Sequence, residues 1–128
     1  MSGYFTDSTA TGKFFVPQNP IRIKDTRSSA QTLNAGNMLT LQVGGARGVP
    51  ATATAVILNV TVTNTTAPSY LTVWPSTAPR PLASDLNWVS GQTVPNLTVA
   101  ALGSTGAISI YNAAGSTDVV VDVFGYFN

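Results

Sequence analysis

The ionisable side chains of this sequence offer little of the chemistry on which enzymes depend. The chain contains no Cys and no His, and its five acidic residues are all Asp. Most nucleophiles and proton-transfer groups in enzymes are Cys, His or Glu side chains, and zinc sites need His or Cys. The Asp residues also lack the alternating spacing of a calcium-binding loop. We therefore expect no catalytic residue, no metal, no cofactor and no enzymatic activity.

Asp118 and Asp122 come nearest to a pair of catalytic carboxylates. They lie four residues apart on a predicted strand, so their side chains share a face and are separated by about 13 Å. Paired carboxylates in glycosidases stand about 5 to 9.5 Å apart. We expect that the two do not act together, that Asp118 lies in a turn and that Asp122 is bound by local partners.

Asp25 and Arg27 lie two residues apart on a predicted strand and therefore on one face. Their opposite charges predict a structural ion pair, and a polar grip on a ligand such as a sugar is the alternative. Trp74, Trp88 and Arg80 are candidate ligand contacts, because indole rings can stack on sugars and Arg80 stands in a Pro-Arg-Pro loop. For each Trp, packing inside the fold is the favoured interpretation and an exposed platform is the alternative.

Strands must position these side chains, because apolar residues recur with a period of two along most of the chain. Within residues 55–63, the side chains of Val56, Leu58, Val60 and Val62 fall on one face, and Thr and Asn predominate on the other. Turn signals rich in Gly, Pro and Ser separate such runs. We predict an all-β fold, an antiparallel β-sandwich of jelly-roll or Ig-like type with about 8–9 strands. At most a short helical turn is expected, near Ser28 to Leu33.

The low charge of the chain restricts its partners. Charged residues make up 9% of the sequence and the net charge is +1, whereas about a quarter of an average soluble domain is charged. No run of Lys and Arg indicates binding to nucleic acid or to an anionic membrane, and no apolar window approaches the roughly 18 residues that cross a bilayer. We expect no nucleic acid, no membrane insertion and little repulsion between neighbouring copies of the chain.

The length of 128 residues predicts one domain. We place the domain at residues 15–128, after an N-terminal arm or linker at residues 1–14. The tripeptide Gly3-Tyr4-Phe5 recurs as Gly125-Tyr126-Phe127, which suggests a module from a tandem array; chance is the alternative. Tyr4, Phe5 and Phe14 are the arm residues expected to bind a partner.

A series of short motifs relates the chain to a known kind of module. The motifs follow one another through nearly the whole sequence: Phe15-Val16-Pro17, Ile23 to Arg27, Gly48-Val49-Pro50, Ala55 to Thr63, Tyr70 to Pro75, Leu86-Asn87-Trp88, Thr93 to Leu97 and Ser116 to Tyr126. In these motifs the chain resembles the all-β modules repeated in actinobacterial secreted and cell-surface proteins and found in virion proteins of their phages. The resemblance implies an accessory surface role without enzymatic activity, and it supplies no catalytic residue.

Two functions follow from these observations. The sequence starts at Met1 without the basic and apolar stretches of a signal peptide, which favours a phage virion component, either a capsid decoration protein or a tail appendage. On the virion surface it would bind capsid, tail or other lattice proteins and copies of itself. The alternative is a secreted or cell-surface adhesion or carbohydrate-binding module of an actinobacterium, which would contact cell-surface glycan.

Overall fold

The computed structural model describes residues 14–128, which fold into eight β-strands and one short helix. In chain order the elements are β1 (Phe15–Asp25), α1 (Thr26–Ser29), β2 (Met38–Gln42), β3 (Ala55–Thr63), β4 (Ser69–Pro75), β5 (Leu86–Trp88), β6 (Val94–Ala101), β7 (Ala107–Asn112) and β8 (Asp118–Phe127). The strands form two antiparallel four-stranded sheets. The prediction of an all-β sandwich with about eight strands and little helix is confirmed.

The two sheets enclose a single core. The first sheet has the strand order β1-β8-β3-β6 and the second has the order β2-β7-β4-β5. Buried apolar side chains from both sheets belong to one continuous cluster, with Leu58 and Val121 from the first and Leu71 and Ile110 from the second. Because this core is apolar and continuous, its burial is the main source of stability for the domain.

Strand β3 shows how the period-two pattern builds that core. Every second residue from Val56 to Val62 is fully buried, whereas the residues between them keep partial exposure. The strand lies between β8 and β6, so both of its edges are hydrogen-bonded. β-branched residues fit such a pleated, half-buried surface well, and β3 therefore forms where the alternation predicts it.

The end of β8 depends on a glycine because β1 packs directly on it. A Cβ atom at Gly125 would lie 2.6 Å from the ring of Phe15. With no side chain in the way, the ring of Phe15 approaches the ring of Phe127, with centroids 5.3 Å apart. Aromatic pairs at such distances stabilise beyond their buried area. The glycine of the C-terminal Gly-Tyr-Phe motif is thus required by packing.

The helical turn lies earlier than the sequence predicts. The expected position is residues 28–33, whereas α1 spans Thr26–Ser29. The Asp25 carboxylate caps the N-terminus by accepting the Arg27 N–H at 3.0 Å, and Ala30 ends the helix with a φ of 54°. Asp is a favoured N-cap residue, but the strand-like pattern before it conceals this signal. Within residues 14–128 no helix is long and apolar enough to cross a membrane.

Candidate functional site

The connection between β4 and β5 folds back over the outer face of the second sheet. Two of its carbonyl groups accept hydrogen bonds from β4 side chains: Ala83 O from Thr72 Oγ1 at 2.6 Å, and Ala78 O from Trp74 Nε1 at 3.0 Å. These bonds fix the connection against the sheet because their donors are buried. The connection thereby brings Arg80 over the outer face.

Arg80 and Tyr70 form the polar and aromatic part of a groove, here named the Arg80 groove, and Arg80 also lies over the ring of Tyr111. The guanidinium carbon of Arg80 lies 3.8 Å from the centroid of the Tyr111 ring, within the range of a cation–π interaction. The Tyr70 ring is tilted by 54° against Tyr111, with centroids 6.4 Å apart. The groove has a volume of about 290 Å³ and is lined by Tyr70, Arg80, Pro81, Leu82, Ala83, Ser84 and Asn87.

The Arg80 groove combines one exposed aromatic ring with a guanidinium, an amide and a hydroxyl group. Tyr70 is 39% exposed, so its ring can stack on a flat ligand group. Asn87 and Ser84 add amide and hydroxyl groups, and Asn87 Nδ2 donates to Ser84 Oγ at 3.2 Å. No carboxylate is among the described residues that line the groove, and a guanidinium does not lose its proton in proteins.

Neither tryptophan is an exposed platform, so the alternative interpretation of the two rings is wrong. Trp74 is 6% exposed and Trp88 is 5% exposed. Trp74 lies beneath the β4–β5 connection, whereas Trp88 packs in the core and donates its indole N–H to Ala67 O at 3.1 Å. Packing inside the fold, the favoured interpretation for both rings, describes them correctly. Of the three candidate ligand contacts, Arg80 alone lines the groove.

Asp25 and Arg27 form an ion pair, but the pair sits at a helix cap and not on a strand face. Arg27 Nη2 and Nε donate to the Asp25 carboxylate at 2.8 and 2.9 Å. Arg22 Nη1 lies 3.8 Å from the same carboxylate. The hydrogen bonds from Arg27 lower the pKa of Asp25 to about 2. Both oxygens of the Asp25 carboxylate already accept hydrogen bonds from Arg27. These contacts are structural, and they leave the carboxylate little capacity to bind a ligand.

Asp122 has its partner across the first sheet. Arg22 Nε donates to Asp122 Oδ1 at 3.0 Å, and the two residues face each other in the register of β1 and β8. The Arg22 side chain is 53% exposed, so this is a surface ion pair of small energetic weight. Asp122 is thus bound by a neighbouring side chain, as expected, although this partner belongs to a strand that is distant in sequence.

Asp118 is the first residue of β8. The expectation from the sequence that Asp118 lies in a turn is therefore wrong. This residue is 7% exposed. Its Oδ1 accepts Thr26 Oγ1 at 2.8 Å and Thr32 Oγ1 at 3.0 Å, and its Oδ2 accepts Asn64 Nδ2 at 2.8 Å. Burial raises the pKa of Asp118, but these hydrogen bonds outweigh it and hold the pKa below its ordinary value. The carboxylate joins α1 and the end of β3 to β8.

The fourth described carboxylate is also bound within the fold. Asp85 Oδ2 accepts the backbone N–H of Val73 at 2.8 Å. In the part of the chain that the structure describes, no three His, Cys, Asp or Glu side chains come together as metal ligands could. Each of the four described Asp carboxylates is hydrogen-bonded within the sandwich.

The predicted arm meets the domain beside the C-terminus. Tyr4 and Phe5 lie outside the described residues. Phe14 is 46% exposed, and its backbone exchanges two hydrogen bonds with Asn128, at 3.3 and 3.0 Å. The backbone of Phe14 is therefore fixed at the corner of the first sheet, while its ring faces solvent.

Comparison with known proteins assigns no family to the chain. No family model and no curated protein matches the sequence.

Proposed function

We propose that this chain is a non-enzymatic structural protein of a phage virion surface, either a capsid decoration protein or a tail appendage. The observation that carries the proposal is the use of its carboxylates. Asp25 caps α1, Asp85 binds the backbone of β4, Asp118 joins α1 to β8, and Asp122 pairs with Arg22. Each of these four described carboxylates is hydrogen-bonded within the fold, which supports a role without general acid–base catalysis.

The exposed apolar side chains of the first sheet support attachment to a lattice. Leu97 is 52% exposed, and Val99 and Phe124 are each 37% exposed. Phe14, which precedes β1, is 46% exposed. Apolar side chains that are exposed together on one side of a domain are typical of surfaces that bind other proteins. The resemblance to virion modules agrees with partners such as capsid or tail proteins and further copies of the chain.

Deletion of residues 1–12 is expected to abolish attachment to the lattice while the domain stays folded. Folding should persist because β1 begins at Phe15 and the first described hydrogen bonds start at Phe14. The measurement is co-sedimentation of the purified protein with phage particles that lack it, with circular dichroism as the test of folding. A double variant, Tyr4→Ser with Phe5→Ser, tests whether the aromatic side chains carry the binding. Full attachment of the deleted chain would contradict an arm-mediated contact.

A second candidate function is favoured by the Arg80 groove: a carbohydrate-binding adhesion module of a bacterial cell surface. On that account Tyr70→Ala and Arg80→Ala should each weaken glycan binding about tenfold, because a stacking ring or a hydrogen-bonding cation is lost. A glycan array followed by titration calorimetry measures the effect. Leu97→Ala, at a position 52% exposed on the first sheet and outside the groove, is the matched control. Failure to bind any polysaccharide would eliminate this function.

A further inference from the structure

Strand β6 forms one edge of the first sheet, and apart from a single proline, Pro95, it lacks the features that usually protect an edge. Among the described residues it pairs with β3 on one side and with no strand on the other. It is eight residues long and contains no ionisable side chain. Leu97 and Val99 are 52% and 37% exposed. Edge strands with these properties are templates for pairing with another chain.

The other three edges are protected or short. Strand β1 contains Pro17 and Pro20, carries Arg22 and Lys24, and has two irregularities in its pairing with β8. Prolines, charges and bulges each discourage the addition of a strand. Strand β5 has three residues and β2 has five. By comparison, β6 is the edge best able to accept a partner.

The register of β6 on β3 shows which backbone groups face outward. Leu102 N donates to Thr54 O at 2.9 Å, so the even-numbered positions of β6 direct their N–H and C=O groups toward β3. The odd-numbered positions direct theirs away from β3, since these groups alternate along a strand. Pro95 falls on an outward-facing position and opposite Thr61, as expected for a residue without an N–H. The outward-facing residues that have both a free N–H and a free C=O group are Leu97, Val99 and Ala101. No described residue forms a backbone hydrogen bond with them on that side.

We propose that a second copy of this chain pairs its own β6 with this edge in antiparallel orientation, centred on Val99. In that register Leu97 of each copy faces Ala101 of the other, and the two Val99 residues face each other. Three such pairs can form about six backbone hydrogen bonds, since a hydrogen-bonded antiparallel pair exchanges two. The two first sheets then become one continuous eight-stranded sheet. The inference does not depend on the proposed attachment function.

Two observations select a second copy as the occupant. In an antiparallel copy, the outward N–H and C=O groups of the same three residues lie opposite those of Leu97, Val99 and Ala101. A two-fold axis through Val99 therefore gives every one of these groups a hydrogen-bonding partner. The strand also carries no charge, so two copies meet without repulsion. A register centred on Leu97 would place Pro95, which cannot donate, within the paired segment. The register centred on Val99 leaves Pro95 outside it.

Single cysteine variants test this register directly, because the native chain contains no Cys. Residues in a hydrogen-bonded antiparallel pair have Cα atoms about 5.5 Å apart, which is within the span of a disulfide. Val99→Cys should therefore form a disulfide-linked dimer under mild oxidation. Leu97→Cys should not link to its own copy, because those residues are offset by about 13 Å along the strands. A mixture of Leu97→Cys and Ala101→Cys chains should form the mixed dimer.

Sedimentation equilibrium of the full chain provides the second measurement. Native protein should reach twice the chain mass of 13.3 kDa. Val99→Pro should raise the dissociation constant at least about tenfold, because it removes an outward donor from each copy and spares the ladder with β3. If the proline variant fails to fold, Val99→Lys replaces it. This variant places two ammonium groups opposite each other and should also raise the dissociation constant of the dimer. Leu82→Lys, at a fully exposed position in the Arg80 groove, should leave the dimer unchanged.

The results that would overturn the proposal are equally definite. A native chain that stays monomeric at all concentrations excludes it. Equal crosslinking of Leu97→Cys and Val99→Cys would show random collision and not a fixed register. Loss of the dimer on deletion of residues 1–12 would identify the arm, and not β6 of the second copy, as the occupant of the edge. Selective Val99→Cys crosslinking that persists in the deleted chain would support the β6 pairing.

Discussion

Replacement of Asp118 by Ala is expected to lower the free energy of unfolding by about 3 kcal/mol. The change removes an acceptor that is 7% exposed and leaves the donors of Thr26, Thr32 and Asn64 without their partner. Buried donors without partners cost about 1 to 3 kcal/mol, and hydrogen bonds to a charged acceptor are the stronger ones. Urea denaturation followed by Trp fluorescence gives the value directly. Because Thr26 belongs to α1, the attachment of this helix should weaken first.

Asp122→Asn is the matched control, since Asp122 lies on the same strand but pairs with a largely exposed Arg22. It should cost less than about 1 kcal/mol. Asp118→Asn keeps the shape of the side chain but loses the charge, so its effect should fall between the two. An Asp118→Ala variant within about 0.5 kcal/mol of the native chain would show that the network carries no stability.

The same network gives the stability a defined dependence on pH. The pKa of Asp118 is lower in the folded chain than in the unfolded chain. Its stabilising contribution is therefore complete above the unfolded value of about 4, and it is lost as the pH falls through the folded pKa. Asp25, with its pKa lowered to about 2 by Arg27, acts in the same direction. The Asp118→Ala variant should lose less stability than the native chain on acidification in this range.

Trp88→Ala is expected to lower the free energy of unfolding by about 4 kcal/mol. The indole is 5% exposed within the core cluster, and truncation of a buried Trp removes a large apolar surface and leaves a cavity. It also leaves Ala67 O without the indole N–H that it accepts at 3.1 Å. Thermal and urea unfolding measure the loss.

Trp88→Phe separates packing from hydrogen bonding in this prediction. It retains an aromatic ring and should cost about half as much as the Ala variant. Tyr70→Ala, at a ring 39% exposed, should cost less than about 1 kcal/mol. A stable Trp88→Ala protein that had lost affinity for a sugar would instead restore this residue as a ligand platform and would contradict its burial.

The strands were predictable from sequence because alternation reports which face of a strand is buried. Val56 to Val62 alternate cleanly because β3 has the core on one side only. The helix α1 was misplaced because Asp25, its N-cap, ends a segment with strand-like alternation. Alternation also places Trp88 with Leu86 on one face, which agrees with its burial. It could not reveal that the β4–β5 connection covers Trp74 on the opposite face.

The contacts of the site residues were less predictable than the strands. The three donors to Asp118 are separated from it by 92, 86 and 54 positions in the sequence. The network therefore cannot be predicted from the spacing of neighbouring residues. Asp25 and Arg27 are two residues apart, and their pairing could be predicted from opposite charge alone. Arg80 was singled out by its two flanking prolines, but Tyr111, over which it lies, depends on the pairing of β4 with β7.

Quantitative mass spectrometry of purified particles is the measurement that tests the central claim most directly. Particles released by cells that carry this gene should contain the chain in many copies per particle, and deletion of residues 1–12 should remove it from them. Particles without the chain, together with its recovery from the bacterial cell wall or the culture medium, would contradict a virion role and favour the adhesion module.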